Sequence, residues 1–336
     1  MSLNACSTVH FLYQAGKGQL RLLNRARPLS EVIADPTTDP KLADLLKQVP
    51  EIKAFGEKWG LKPTPNYGEY VKLDQDAVVY VVTVSEPLEF KAKVFSFPIV
   101  GSFTYIGWFS REDADDFAAQ FSKKGKDVDV RGASAYSTLG WFKDPLLSTM
   151  IPSKDGIPLP EALPELVNIV IHESVHATIY INDQSYFNES LAFFLADLLT
   201  EKYFTEQKKL ESSVWKTYRE HERYYAKVQA RMAQAYRDLK AVYDSSVSDD
   251  EKRTKKAEYL AKLQSELRFP RPITNATLIQ FQTYDPSDHG FGELFDRCGK
   301  DVGRFLKTLK MIKTKDFSSP QQKNFETILP KHCEDV

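Results

Sequence analysis

Hydrophobic and polar positions alternate with the period of a β-strand in several short stretches of the first half of the chain. Residues 78–84 are almost all β-branched or apolar, and residues 88–94 alternate between hydrophobic and charged side chains, so both stretches predict strands. Residues 113–124 have the period of a helix instead, with Ser110 as its cap and Asp113 in an imperfect capping box. Further strands are predicted at 104–109, 127–132 and 135–142.

The rest of the chain has the periodicity of amphipathic helices. Residues 9–24 predict one helix, and residues 41–56 predict two short helices because Pro50 interrupts the pattern. Residues 206–243 contain no glycine or proline, and a capped helix follows them after Ser248, so a long helical hairpin is predicted over roughly residues 205–267. Other helices are predicted at 161–181, 187–204, 275–284 and 294–311, and a polar tail from residue 316.

This order of elements predicts an α+β fold. Helices and a small mixed sheet are expected over residues 1–150, followed by a mainly helical lobe over residues 151–336 that carries the hairpin. The 45 basic and 46 acidic residues leave a net charge of −1, so no general surface for nucleic acid or membranes is expected. The chain also lacks the run of about 18 apolar residues that a membrane-spanning helix requires.

The candidate chemistry lies in the helix predicted at 161–181. His172 and His176 are four positions apart, so they lie on one helical face and are close enough to share a metal ion. Glu173 lies between them, where it can take a proton from a water molecule on that ion. This His-Glu-x-x-His pattern is typical of zinc peptidases.

The expected burial of this helix distinguishes a metal site from an ordinary pair of helical histidines. The residues around the motif, from Leu166 to Val175, are so apolar that the helix is expected to be buried on nearly all sides. Two histidines and a carboxylate in such a helix cost several kcal/mol unless something satisfies their polar atoms. A metal ion does so, and we therefore expect one zinc ion per chain.

A catalytic zinc ion has three protein ligands and one open position. The turn-rich residues 182–185 end the first helix, and Glu189 then falls in the first turn of the next one, where it can point back at the histidines. Glutamate is a regular third ligand in such sites, so Glu189 is favoured. Asp183, Asp197 and Glu201 are the alternatives, and Glu189 acting only as a helix cap is another.

The histidine motif followed by Asn188-Glu189 resembles the gluzincins, metallopeptidases whose third ligand is a glutamate on the next helix. More closely, the chain resembles the bacterial putative aminopeptidase family, zinc enzymes assigned to the cell envelope. The gap from His176 to Glu189 is shorter than in the better-known gluzincins, and Phe193 stands where thermolysin-like enzymes have an aspartate. The matching stretches are 13–20, 135–142, 172–176, 187–190, 275–276 and 283–284.

The resemblance implies a zincin-like fold and further site residues. In zincins an edge strand before the metal helix pairs with the substrate backbone, and position assigns this role here to Leu139, Gly140 and Trp141. Peptide hydrolysis also needs a donor for the oxyanion, for which the resemblance favours Tyr284, with His289 as the alternative.

The three cysteines bear on the location of the protein. Leu3-x-Ala5-Cys6 matches the end of a bacterial lipobox, so Cys6 is a candidate for lipidation after removal of a leader, and acyl chains there would be the only contact with a membrane. The resemblance points the same way, to a lipoprotein of the bacterial cell envelope that faces the periplasm. Cys298 and Cys333 either pair in an oxidising compartment or remain free thiols.

Together these residues predict peptide hydrolysis. His172, His176 and Glu189 hold the zinc ion, Glu173 is the general base, and Tyr284 stabilises the oxyanion. The substrate is a peptide or protein, and an aminopeptidase is favoured on resemblance alone. The alternatives are an endopeptidase or other zinc hydrolase of the envelope, and a non-catalytic envelope-binding lipoprotein that keeps the zincin shell.

Overall fold

Helices predominate in the computed structural model, which describes residues 5–97, 101–136, 143–207, 209–283 and 290–334. None of the helices in these ranges combines the length and apolar character needed to cross a bilayer. The helices are α1 (Ala5–Arg25), α2 (Leu29–Ala34), α3 (Pro40–Lys58), α4 (Arg111–Ser122), α5 (Ala162–Thr178), α6 (Ser185–Glu206), α7 (Ser213–Asp244), α8 (Asp249–Leu267), α9 (Asn275–Thr283), α10 (Phe291–Arg297) and α11 (Val302–Leu309).

The strands are short and form small, separate sheets. Strand β3 lies between β6 and β7 and is antiparallel to both, and β2 lies between β1 and β8. The pairs β4–β5 and β9–β10 are two-stranded. The strands are β1 (Arg27–Pro28), β2 (Glu69–Val71), β3 (Val79–Ser85), β4 (Phe95–Phe97), β5 (Gly101–Phe103), β6 (Tyr105–Trp108), β7 (Asp127–Ala133), β8 (Leu146–Leu147), β9 (Ser153–Lys154) and β10 (Ile157–Pro158).

Packing divides the chain into two compact units, each made of segments that are distant in sequence. The first unit comprises Met1–Ala15, Val79–Ala133 and Glu222–Asp285, and the second comprises Gly16–Val78, Ser134–His221 and Pro286–Val336. These packing boundaries do not coincide with the predicted boundary at residue 150. The prediction concerns domains that fold on their own, which packing does not test, so it stays a prediction.

The first unit is built on β3, whose two faces are both covered. Val82 and Val84 pack towards α4, while Thr83, on the other face, accepts a hydrogen bond from Gln280 of α9. A strand covered on both faces requires apolar side chains at nearly every position, which explains its continuous β-branched sequence. The strands predicted at 78–84, 104–109 and 127–132 are all present.

Partly buried ion pairs attach α8 and the segment that follows it to β7. The alternation along this strand points Asp127 and Asp129 to the same face. Lys256 Nζ lies 2.6 Å from Asp127 Oδ2, and Arg271 Nε lies 2.9 Å from Asp129 Oδ1. The backbone N–H of Asn275 also donates to Asp127, so a strand carboxylate caps the start of α9.

One prediction fails in this unit and two in the other. Residues 88–94 form no strand, only one isolated bridge from Ala92, because Phe90 stacks on Tyr236 of α7. Helix α7 begins at Ser213 rather than near residue 206, since α6 continues to Glu206.

Residues 41–56 belong to one helix, α3, with Pro50 inside it, whereas two short helices were predicted. The neighbouring apolar side chains of α3 are fully buried, and this burial outweighs the roughly 3 kcal/mol that an internal proline costs.

The C-terminal region also differs from prediction. Residues 294–311 form two helices, α10 and α11, because Gly299 and Lys300 adopt positive φ angles and turn the chain. The predicted polar tail is packed rather than solvated. Phe325 is 1% exposed, and its ring centroid lies 5.3 Å from that of Phe187 at the start of α6. The tail therefore supports the first turn of α6 from outside.

Cys298 and Cys333, whose pairing the sequence left open, form a disulfide bond in the second unit. The bond closes a loop with a sequence separation of 35 residues, between the end of α10 and the C-terminal segment. Cys298 is fully buried. The bond thus holds the packed tail against the helices that it covers.

Replacing Cys333 with serine is expected to lower the free energy of unfolding by roughly 4 kcal/mol, since the unfolded chain then loses a closed loop of this length. Urea denaturation followed by circular dichroism measures the change. Wild-type protein that has been reduced should behave like the variant, and Cys6→Ser should behave like oxidised wild type. Equal denaturation midpoints for the oxidised wild type and Cys333→Ser would contradict the bond.

Candidate metal centre

The site is formed by two consecutive helices, α5 and α6, that run antiparallel. Three side-chain pairs show the register: Asn168 with Asp197, His172 with Phe193, and both His172 and His176 with Glu189. Each step of four residues forward in α5 matches a step of four residues back in α6. His172, His176 and Glu189 are therefore brought together at the end of the helix pair that is next to the connecting turn.

Local sequence explains where α5 lies and which side of it remains open. Pro164 and Glu165 occupy its first turn, as predicted from the preference of that position for proline and acidic residues. The apolar side chains from Leu166 to Val175 are buried almost completely, except for Ile169. His172 and Glu173 are partly exposed, so the motif faces the accessible side of an otherwise buried helix.

His172, His176 and Glu189 form a group that is able to hold a metal ion, with one donor atom from each residue within 4.8 Å of the others. The two Nε2 atoms lie 3.2 Å apart, and Glu189 Oε2 lies 3.4 Å from Nε2 of His172 and 3.6 Å from Nε2 of His176. A tetrahedral zinc ion with bonds of about 2.0–2.1 Å places neighbouring donors about 3.3 Å apart. The triangle of donors therefore fits such an ion.

The two ring nitrogens of His176 have different surroundings. Its Nδ1 atom is buried and has no hydrogen-bond partner among the described residues, while its Nε2 atom points at two other donors. Buried imidazole nitrogens normally have partners. A cation at Nε2 would fix the proton on Nδ1, so that Nδ1 would be an N–H donor facing the buried side.

The electrostatics of the group are those of a cation site. Burial by itself would raise the pKa of Glu189, but His176 and His172 outweigh burial and hold this pKa well below its usual range. Burial would likewise lower the pKa of His176, but the carboxylate of Glu189 raises it above its usual range. The carboxylate is thus kept ionised and ready to bind positive charge.

Glu173 has the opposite shift. Burial raises the pKa of its carboxyl above the usual value, and the negative charges of Glu189 and Asp144 add to the increase, while the two histidines oppose it. A carboxylate with a raised pKa is a stronger base than an ordinary glutamate. Glu173 is therefore suited to accept a proton beside the donor triangle.

Asn188 explains how the turn between the helices keeps Glu189 in place. Its side-chain Oδ1 accepts a hydrogen bond from the N–H of Ile181 at 2.9 Å, and its Nδ2 donates to the carbonyl of the same residue at 2.8 Å. The side chain is 2% exposed. These two hydrogen bonds fix the turn after α5 to Asn188, the residue that precedes Glu189.

The alternative ligands lie away from the donor triangle. Asp197 accepts a hydrogen bond from Asn168, two helical turns from Glu189. Asp183 is in the connecting turn with a φ of 66°, and Glu201 is exposed. Phe193 contacts the ring of His172, with centroids 4.9 Å apart.

Several residues predicted for the site fall outside the described residues: Leu139, Gly140, Trp141, Tyr284 and His289. Their roles stay predictions. Cys6 lies in α1, but its side chain is likewise outside the description. His221 is more than half exposed, with its Nδ1 atom 3.8 Å from Glu161 Oε1.

Two residues near Glu173 were missed by sequence reasoning, Tyr67 and Asp144. Both are buried, and their charges or potential charges interact with that of Glu173. Glycine after Asn66-Tyr67 marks a turn in the sequence, but nothing in its spacing connects that turn to the motif more than a hundred residues later.

Comparison with known proteins identifies the family. The model of the family described as putative aminopeptidase matches residues 10–324, which is most of the chain. The chain belongs to the putative aminopeptidase family. No curated protein and no solved structure matches the chain. The family description points to peptide hydrolysis, and the matched region includes the whole donor triangle and Glu173.

Proposed function

We propose that this member of the putative aminopeptidase family is a zinc-dependent peptidase with a zincin-like fold. The observation that carries the proposal is the triangle of His172, His176 and Glu189, with donor separations of 3.2–3.6 Å, next to a partly exposed Glu173. A purely structural zinc site would have a fourth protein ligand. The group found among the described residues has three donors, the number in catalytic sites.

A zinc ion held by these residues would lower the pKa of a bound water molecule and polarise the carbonyl of the scissile amide. Glu173 accepts the proton from the attacking water through its carboxylate and then passes it to the nitrogen of the leaving amine. Its raised pKa favours the first of these steps, since it makes the carboxylate a stronger base. Asn188 holds the turn that places Glu189.

Within peptide hydrolysis we propose aminopeptidase activity, which rests on the family description alone. We also propose that the protein acts in the bacterial cell envelope. The disulfide bond between Cys298 and Cys333 supports an oxidising compartment, and the lipobox-like residues before Cys6 support a lipid anchor.

The test combines metal analysis with a set of peptides. Protein purified without chelators should contain one zinc ion per chain and should cleave peptides with free N-termini. The same peptides with acetylated N-termini separate the exopeptidase from an endopeptidase, which would cleave both sets. Protein that binds no metal after incubation with zinc, or that cleaves neither set when loaded, would contradict the proposed function.

A further inference from the structure

Helix α6, which carries Glu189, begins without a cap of its own. The residue before its first turn is Gln184, and the side chain of Gln184 caps none of the N–H groups of this helix. The first N–H groups of a helix have no partner within the helix and need one from elsewhere. Serine, threonine, aspartate or asparagine normally supplies it at this position. The start of α6 therefore needs a partner from another segment.

The C-terminal part of the chain supplies that partner. We call residues 317–325 the tail segment; it belongs to the same compact unit as α5 and α6. Gln321 Oε1 in this segment accepts a hydrogen bond from the N–H of Ser185 at 3.1 Å. Ser185 is the first residue of α6, and 136 positions separate it from Gln321. The missing cap of α6 thus comes from a segment that is distant in sequence.

Gln184 is bound to the tail segment through both ends of its side-chain amide. Its Nε2 donates to the carbonyl of Ser319 at 2.8 Å, and its Oε1 accepts a hydrogen bond from the N–H of Gln322 at 3.0 Å. Gln184 is 2% exposed, so water does not replace these partners if they are lost. The two bonds fix the turn before α6 to the backbone of the tail segment.

Two residues with unusual backbone conformations meet where the tail segment contacts this turn. Asp183 has a φ of 66° and Gln321 a φ of 54°, in the left-handed region that residues other than glycine rarely adopt. The N–H of Gln321 donates to the carbonyl of Asp183 at 2.7 Å, which links the two directly. Such conformations persist where the surroundings enforce them, and they are concentrated at functional sites.

Aromatic packing extends the contact into the helix. Phe187 is fully buried, and its ring centroid lies 5.5 Å from that of Phe317 and 5.3 Å from that of Phe325. Together with the hydrogen bonds, this packing attaches the tail segment to residues 183, 184, 185 and 187. All of these lie within six positions of Glu189, on its N-terminal side.

The position of Glu189 decides whether the donor triangle is complete. Both histidines belong to α5, whereas Glu189 belongs to α6 and depends on how that helix begins. A helix end without a cap frays, because its first N–H groups exchange their partners for water. The apparent affinity for a metal ion falls in proportion to the fraction of molecules in which all three donors are in place.

We propose that the tail segment positions Glu189 for metal binding, with Gln184 and Gln321 as positioning residues. The inference rests on the zinc site of the proposed function and adds a determinant of zinc affinity that lies outside the donor triangle. Neither glutamine is one of the three donors. Both act through the turn and the first residues of α6.

Two substitutions at Gln321 test the cap. Gln321→Ala removes the acceptor for the N–H of Ser185, while Gln321→Glu keeps an acceptor oxygen and adds a negative charge at the positive end of α6. We expect the Kd for zinc, measured by competition with a chromogenic chelator, to rise about 10- to 100-fold in Gln321→Ala, as for other groups that orient metal ligands. Gln321→Glu should remain within about threefold of wild type, and Gln184→Ala should behave like Gln321→Ala.

Gln322→Ala is the matched control. The side chain of Gln322 bonds to Ser318 and Asn324, both within the tail segment, and its backbone N–H still reaches Gln184 in the variant. We expect its Kd for zinc to stay within about threefold of wild type.

Hydrogen exchange of the metal-free proteins, followed by mass spectrometry, gives a second measurement. Residues 185–189 should exchange at least about tenfold faster in Gln321→Ala than in wild type, whereas residues 166–175 of α5 should exchange at the wild-type rate.

The outcomes separate this inference from the proposed function. Wild-type protein that binds no zinc would overturn both. If wild type binds zinc but cleaves no peptide, and Gln321→Ala weakens zinc binding as expected, the peptidase proposal fails and this inference stands. An unchanged Kd for zinc in both Gln321→Ala and Gln184→Ala would overturn this inference alone. An equal loss of affinity in Gln322→Ala, with faster exchange in α5 as well, would show general destabilisation and would also overturn it.

Discussion

Glu173→Gln is expected to reduce kcat for peptide cleavage by a factor on the order of 10²–10⁴, the contribution of a positioned general base. Glutamine has nearly the same shape as glutamate but cannot accept a proton at the pH of the assay. The side chain of Glu173 is not among the three donors of the triangle, so zinc content should not change. Kinetics on a free peptide and metal analysis of the same preparation measure both quantities.

Glu165→Gln provides the matched control for this variant. Glu165 lies two turns earlier on α5 and, like Glu173, has a pKa raised chiefly by burial. If loss of activity in Glu173→Gln came from neutralising any buried carboxylate on this helix, Glu165→Gln would show it too. We expect Glu165→Gln to retain wild-type kcat. A Glu173→Gln variant with kcat within a few-fold of wild type would remove Glu173 from the role of base.

His176→Ala should abolish both metal binding and activity. The substitution leaves two of the three donors, fewer than any catalytic zinc site uses. It also leaves the Glu189 carboxylate without the partner that contributes most to lowering its pKa. We expect zinc to fall from one ion per chain to near zero, and peptide cleavage to fall to background.

Thermal denaturation gives an independent measure of the same loss. A ligand that binds only the folded state raises the free energy of unfolding, by about 4 kcal/mol when its concentration is 1000 times its Kd. Zinc should therefore stabilise wild-type protein and leave His176→Ala unchanged. His221→Ala is the control, because His221 is a mostly exposed histidine outside the triangle. Zinc binding that persists in His176→Ala would show that the metal is held elsewhere.

These expectations depend on a site whose main features are local in sequence. The positions of His172 and His176 on one face follow from the period of a helix, and the apolar residues around them ensure that the helix forms and is buried. The turn after α5 places Glu189 at the start of the next helix. Each of these steps involves neighbours within about twenty residues, so each could be predicted from the pattern alone.

Errors in the predicted elements arose where distant packing competed with a local preference. Pro50 would end an isolated helix, but the burial of α3 outweighs the hydrogen bond it removes. The alternation of residues 88–94 matches a strand, yet Phe90 packs against the helical hairpin. The polar composition of the last twenty residues concealed Phe325, which is buried against α6. Local patterns contain no information about which partner is present.

The assignment of Glu189 rather than Asp197 as the third ligand depends on both the sequence and the packing of the helices. Both acids lie on the same face of α6, two turns apart, and both are four-residue steps from the histidine register. Sequence favours Glu189 because of the nearby turn and its residue type. The antiparallel packing of the two helices places it 3.4 Å from His172, while Asp197 is opposite Asn168.

By itself, the sequence determined the histidine motif, the helix that presents it, the candidate third ligand and the kind of chemistry that a metal site there would support. Only the tertiary structure brought Tyr67 and Asp144 close enough for their charges to interact with that of Glu173. Tyr67 and Asp144 are more than seventy residues apart in the sequence, yet the N–H of Tyr67 donates to the carbonyl of Asp144. Helical periodicity acts over a few residues, whereas the loop that carries Tyr67 reaches α5 through bonds between distant segments. Such contacts depend on how the whole unit packs, and no pattern along the chain encodes them separately.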